Sequence, residues 1–154
     1  MRIVLDIDPA TLSTAQQKGM FHGRVFTNPK VAKSMRAVRN AMLPVARGIR
    51  EQLDMTCGDY STLGIELTAI FYFAFPKSGT KKEKALRREG QPVTSARYGD
   101  LDNRHKAFQD AIAKSGAIPD DHFVSHLDIR KCYTLAKPRI AVWFDVDLGA
   151  VLYN

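Results

Sequence analysis

The segment Leu63-Gly64-Ile65-Glu66-Leu67-Thr68-Ala69-Ile70-Phe71-Tyr72-Phe73-Ala74-Phe75 carries an apolar side chain at every odd position from end to end. Successive side chains point to opposite faces of a strand, so these seven share one face, and the spacing predicts a core strand. Its other face carries Glu66, Thr68, Ile70 and Tyr72, a mixture suited to partial cover. Downstream, Phe123, Leu127 and Ile129 alternate along a second strand, and Ile140, Val142, Phe144 and Val146 along a third. An antiparallel pair joined across Ala136-Lys137-Pro138 is the expected arrangement of these two.

Upstream, Asn28 is a suitable helix cap, and Pro29 suits the first helical position, where a missing N–H costs nothing. Behind them Val31, Met35, Val38, Met42, Val45 and Ile49 recur at steps of four and three, which makes one apolar stripe. Lys30, Lys33, Arg36, Arg39, Arg47 and Arg50 fall on the opposite side. Pro44 is expected to kink or split the helix, because its ring removes a hydrogen bond and clashes with the preceding turn. From Lys77 to Gly99 basic residues outnumber acids and Gly and Pro interrupt, so a short helix in a mobile basic loop is expected. Asn103 to Lys114 reads as a helix with Phe108, Ala111 and Ile112 as its stripe and Gly116 as its stop. Pro119-Asp120-Asp121 reads as a turn. Helices and strands that do not alternate regularly predict an α+β fold, a small single domain over residues 1–154 with a mixed or antiparallel sheet packed against helices.

The chain has 154 residues, 45% hydrophobic and 25% charged, which suits one domain with a real core. No apolar run approaches the roughly 18 residues of a membrane span, so no membrane partner is expected. Acids interrupt Met1 to Asp8 where a secretory signal needs a continuous apolar stretch, so the segment reads as mature structure and the expected location is cytoplasmic. Cys57 and Cys132 have no neighbours at zinc spacing and read as reduced thiols. The net charge of +7 points to a polyanionic partner, with nucleic acid the commonest candidate.

Against that basic background, Asp100, Asp102, Asp110, Asp120 and Asp121 fall close together. If Asp100-Leu101-Asp102 is extended, both carboxylates point one way, as a shared divalent cation requires. Asp102, Lys106 and Asp110 are spaced four apart and share a helical face, with Asn103 close to it. Such a face is also what an ordinary solvated, ion-paired helix looks like. The four histidines, His22, His105, His122 and His126, lack the HExxH pattern and read as surface or DNA-facing groups. No GxSxG or phosphate-cradling glycine loop is present.

The stretch from Asp100 to Ile112, with Gly116 and Asp120-Asp121 after it, resembles the RusA-type Holliday-junction resolvases, whose hallmark is D-x-D-N-x-x-K-x-x-x-D followed by a D-D pair about ten residues later. Gly23 to Lys30 is similar to that family's N-terminal segment, and Lys131 matches a lysine found after the strand that follows the acid pair. The resemblance covers residues 18 to 146. It implies a RusA-like fold and a homodimeric, metal-dependent endonuclease, often encoded by phages or prophages, that binds four-way junctions and nicks them symmetrically. It further implies magnesium, with manganese able to substitute, held by Asp100, Asp102 and Asp121, with Lys106 as the active-site lysine and Asn103 and Asp110 as positional residues. DNA contacts are expected from Lys30, Lys33, Arg36 and Arg39 on the first helix and from Lys81, Lys82 and Arg97 in the basic loop. Lys18, Arg24 and Lys131 complete that set. Gly99 and the additional run Asp54 to Ser61 depart from the family's pattern and bear on junction preference more than on cleavage. The dimer is expected to form through the Leu63 to Phe75 strand and the Val31 to Ile49 stripe. The competing readings are a metal nuclease acting on flaps or other branched DNA, a non-catalytic DNA-binding protein, and a DxD sugar-nucleotide transferase.

Overall fold

The computed structural model describes residues 1–15, 18–21, 24–58, 60, 63–94 and 96–147; the side chains of 18–21, 25, 26 and 97 are outside the description. His22 and the side chains of Lys18 and Arg97 therefore lie outside the described residues. The strands are β1 (Arg2–Leu5), β2 (Lys18–Phe21), β3 (Arg24–Thr27), β4 (Gly64–Ala74), β5 (Val124–Thr134) and β6 (Arg139–Asp147). The helices are α1 (Pro29–Cys57), α2 (Lys81–Ala85) and α3 (Leu101–Lys114). β1, β6, β4 and β5 form a four-stranded sheet in that order, and β2 pairs with β3 in a separate two-stranded ribbon. The result is an α+β domain with a mixed sheet.

β4 occupies a central position, and Ile65, Leu67, Ala69, Phe71 and Phe73 are fully buried on one face of it. It pairs parallel with β5 and antiparallel with β6. The expected direct pairing of β5 with β6 is therefore corrected: β4 lies between them. The most apolar strand takes the place where both its edges are hydrogen-bonded, and residues 135–138 need only cross roughly 10 Å to step over it.

α1 and α3 cover the buried face. Asn28 accepts a hydrogen bond from the Lys30 N–H and Pro29 opens α1. The helix then runs unbroken through Pro44 to Cys57, so Pro44 does not split it. Met42 before the proline and Ala46 and Ile49 after it are buried against the same core, which offsets the missing hydrogen bond. Ala46, 4% exposed, takes the stripe position expected for Val45, which is 39% exposed. A step of four from Met42 keeps closer to the 3.6-residue period at this point than a step of three.

α2 is held by a capping box between Thr80 and Glu83. The chain beyond it is anchored rather than loose: Gly90 N–H donates to the Tyr133 carbonyl at 3.0 Å, Val93 N–H to the Lys131 carbonyl at 3.1 Å, and Tyr133 N–H to the Gln91 carbonyl at 2.8 Å. These bonds tie residues 90–93 to the outer edge of β5 at Lys131–Tyr133 and cover that part of the edge. The Leu63 to Phe75 apolar face and the α1 stripe belong to the domain's own core.

Candidate active site

The residues from Tyr98 to Asp102 turn the chain into α3. Gly99 has φ +67°, and a Cβ there would lie 2.6 Å from Thr14, so glycine is required both by backbone conformation and by close approach. The Lys131 ammonium, reaching from β5, donates to the Gly99 carbonyl at 3.0 Å. The head of α3 is thus tied to the sheet on one side and abuts residues 13–15 on the other.

Asp100 is the N-cap residue in an extended conformation, and its side chain makes no capping hydrogen bond. Asp102 lies in the first helical turn. The expectation of an extended Asp100-Leu101-Asp102 is corrected, because the helix begins at Leu101, two residues before the expected Asn103. Both carboxylates are exposed at the positive end of the helix dipole, and neither has an ion-pair partner among the described residues.

Arg104 was not legible as a site residue, yet it holds this head in place. It is 3% exposed, with its guanidinium 5.8 Å and 5.2 Å from the ring centroids of Phe71 and Phe73. It donates to the carbonyls of Pro9 at 2.5 Å, Leu12 at 3.4 Å and Tyr98 at 2.8 Å, while its Nε has no partner among the described residues. Burial lowers its pKa to about 10, so it stays charged at neutral pH. Arg104 lies four residues before Phe108, on the buried stripe of α3, a position spacing assigns to packing rather than to the site.

Lys106 is exposed on the same face as Asp102 and makes no ion pair among the described residues. Asp110, two turns further, is 3.5 Å from Lys114. His105 and Asn103 are partly exposed nearby. Beyond α3, Asp120 caps a short 3-10 turn, Asp121–Phe123, accepting from the His122 N–H at 3.2 Å and lying 2.8 Å from its Nδ1. The His122 backbone and ring pull the Asp120 pKa down to about 2. The Asp121 carboxyl is raised instead, first by its hydrogen bond to Asp120, then by burial and by the charges of Asp120 and Asp110. The Gln109 amide donates to the Asp121 carbonyl at 3.1 Å, which fixes the turn against α3.

The acids therefore stand in two groups. Asp100 and Asp102 occupy the head of α3, and Asp110, Asp120 and Asp121 gather at its other half; Asp110 is about 12 Å along the axis from Asp102. Among the described residues, the set of three ligand-type side chains with donor atoms within 4.8 Å of one another is Asp120, Asp121 and His122. Asp100 and Asp102 are not part of it. His122, read from the sequence only as a surface or DNA-facing group, sits in this turn beside the acids; the consecutive Asp-Asp-His was its signal.

Basic residues flank this face. Lys30 and Lys33 line a cleft of about 700 Å³ with residues 10–15, which reaches Thr14 beside Gly99. Arg36, Arg39 and Lys114 line another of about 290 Å³ between α1 and α3. Arg24, Lys81 and Lys82 are exposed. If the α1 face touches phosphate, replacing Arg36 and Arg39 with Ala should make the fall of log affinity with log salt shallower by roughly 0.9 for each phosphate of duplex DNA that is no longer neutralised. Fluorescence anisotropy at several salt concentrations reads this directly; an unchanged slope makes the face merely solvated.

No helix among the described residues is long and apolar enough to cross a membrane. A search of curated proteins finds no match. A family model described as endodeoxyribonuclease RusA matches residues 13–144, a span that takes in the basic helix, the head of α3, both groups of acids and most of the sheet. The chain belongs to the RusA family of endodeoxyribonucleases.

Proposed function

We propose that this protein is a cytoplasmic, magnesium-dependent endodeoxyribonuclease, with manganese able to replace magnesium, that binds four-way DNA junctions as a homodimer and resolves them by paired symmetric nicks. The observation that carries this reading is the pair of exposed carboxylates at the head of α3, without an ion pair among the described residues, beside a lysine-lined cleft, in a chain of this family. Acids beside a phosphate path repel DNA, and a cation between them and the phosphate removes that repulsion.

Asp100 and Asp102 would hold the ion at the head of α3, and Asp121, which stands in the second group of acids, would complete the set by turning toward it. Their hard oxygen donors suit a dication, and the crowding that raises the Asp121 pKa is what a cation relieves. When bound, such an ion polarises the phosphoryl oxygen and lowers the pKa of an attacking water. The chain's own residues do the rest. Lys106 offers its ammonium to the charge that builds on the phosphate in the transition state. Arg104 and Lys131 hold the α3 head, and Lys30, Lys33, Arg36 and Arg39 position the duplex arms by phosphate contact without reading sequence.

Because a proton must leave Asp121 before it can ligate, its raised pKa makes cation affinity at this group fall on acidification sooner than an ordinary aspartate would. Calorimetric titration with manganese at successively lower pH should show this, and Asp120→Asn, which removes the neighbouring charge, should move the fall to lower pH. An identical pH profile in both proteins would take Asp121 out of the site.

A supercoiled plasmid that extrudes a cruciform tests the pairing of the nicks. Two cuts within one binding event convert it directly to linear DNA, which is the expected product. Accumulation of nicked circles as the end product would contradict paired resolution.

A further inference from the structure

The cleft of about 700 Å³ between residues 10–15 and the start of α1 changes character from rim to floor. Lys30, Lys33 and Ala37 of α1 and Thr11 of the facing loop are exposed at its rim. Ser13, Thr14 and Ala15 form a half-buried wall, and Leu12 and Ser34 a buried floor. Among the described residues no acid and no aromatic ring lines it. The Ser34 hydroxyl fixes the floor, accepting from the Ser13 N–H at 2.8 Å and donating to the Lys30 carbonyl at 3.0 Å. The Thr14 hydroxyl makes no hydrogen bond among the described residues.

Positive charge surrounds this cleft without a counter-charge. Lys30 and Lys33 make no ion pair among the described residues. Arg104 lies behind the floor, where it lines a narrow void with Leu12, Ser13 and Ser34, three residues that also line the cleft. It is 3% exposed, its described partners are carbonyls, and its Nε has no partner among the described residues. A buried cation without a counter-ion is felt more strongly than a solvated one, because little water or salt screens it. Such surroundings recognise an anion. Lysines and hydroxyls without a stacking ring suit a phosphodiester backbone rather than the bases. The volume falls in the range of roughly 300–1,000 Å³ that encloses one drug-sized molecule, room for a short run of one strand and too little for a duplex. A sugar that follows its phosphate to the floor carries its base away from the partner strand.

We propose that this cleft takes the sugar-phosphate backbone of a single strand, peeled from its duplex at the branch, and leads its next phosphate to Asp100 and Asp102. Entry to the cleft then separates branched from linear DNA, because an intact duplex has no strand to give up. Thr14 is the positioning residue between the two places. Its side chain abuts Gly99, the residue before Asp100, and its hydroxyl is free to donate to a phosphate oxygen. The four arms that a junction supplies to the basic faces remain necessary, which keeps a flap a poor substrate. The inference rests on the junction-cleaving reading and adds how that substrate is told from duplex.

A four-way junction with 2-aminopurine at the branch nucleotide of the strand to be cut, mixed with saturating protein in chelator, tests it. The emission, quenched while the base is stacked, should rise at least twofold with the wild type. Ala37→Glu puts a negative charge on the exposed rim at a helical position that glutamate suits, so the fold should hold. Even at saturation the rise should be lost, and single-turnover cleavage in magnesium should slow at least tenfold. Gln52→Glu adds the same charge at an exposed position about 22 Å further along α1 and should leave both readings within about twofold of the wild type. Thr14→Val keeps the shape and removes the hydroxyl; it should keep the emission rise and slow cleavage about threefold or more. A branch base that stays quenched with the wild type, a rise that survives in Ala37→Glu, or an equal loss in Gln52→Glu would each overturn the proposal. Cleavage by Ala37→Glu and Thr14→Val at the wild-type rate would defeat the cleft and leave the junction-cleaving reading intact. Emission changes as described, with no cutting of the junction by the wild type, would defeat that reading and leave the cleft as a single-strand seat.

Discussion

Asp102→Asn is expected to lower junction cleavage by more than about a hundredfold, the range already reached when only an outer partner of a metal ligand is removed, while junction binding without metal is retained or tightened. The two effects have opposite signs because the carboxylate has two roles. With the ion it supplies negative charge to a hard dication, for which an amide oxygen is a poor ligand. Without the ion it stands beside a phosphate and repels it. Asn keeps the shape and removes the charge. Asp102 is exposed in the first turn of α3, so the melting temperature should not move beyond the loss of a small helix-dipole contribution. Lys106→Ala should slow cleavage with metal affinity unchanged. Nicking and gel-shift assays run together separate these outcomes. Retained nicking by Asp102→Asn would remove this residue from the metal site, and loss of binding together with cleavage would assign it to folding.

Arg104→Met is expected to destabilise the protein by about 3 kcal/mol, which for a domain of this size lowers the melting temperature by roughly 6–12 °C. Methionine can fill the space against Phe71 and Phe73, so the loss comes chiefly from the carbonyls of Leu12 and Tyr98, left without the donor Arg104 supplies, and from Pro9, whose carbonyl keeps only the Leu12 N–H. A buried arginine with no carboxylate among these partners also carries a desolvation cost that methionine removes, which keeps the net effect below the sum of the broken bonds. Because Tyr98 leads into Gly99 and Asp100, cleavage at a temperature where the variant is still folded should fall too. Differential scanning calorimetry checks the first part. A variant as stable as the wild type would show that the three carbonyls find other partners and that Arg104 does not anchor the head of α3.

Much of this was readable from residues. The alternation from Leu63 to Phe75 identified the central strand and its buried face, and Asn28-Pro29 marked the start of α1 where the structure has it. The pairing of strands was not readable, because alternation reports which face a side chain takes and is silent on which strand lies alongside. That is why β5 and β6 seemed natural neighbours when β4 separates them. The DxD motif placed two acids together, but whether they sit on a strand or at a helix start depends on tertiary anchors such as Arg104 and Lys131, which spacing does not encode. The gathering of Asp121 with Asp110, Asp120 and His122, apart from Asp100 and Asp102, likewise depends on the path of the turn after α3.

The most direct test of the account is cleavage of three labelled substrates, a four-way junction, a flap and a linear duplex of the same sequence, by the purified protein with and without magnesium. The account predicts that the junction is cut in magnesium, at symmetric positions in opposing strands, with the other two largely spared and no cutting once the metal is chelated. Linear duplex cut as readily as the junction, or junction cleavage that persists in chelator, would contradict it.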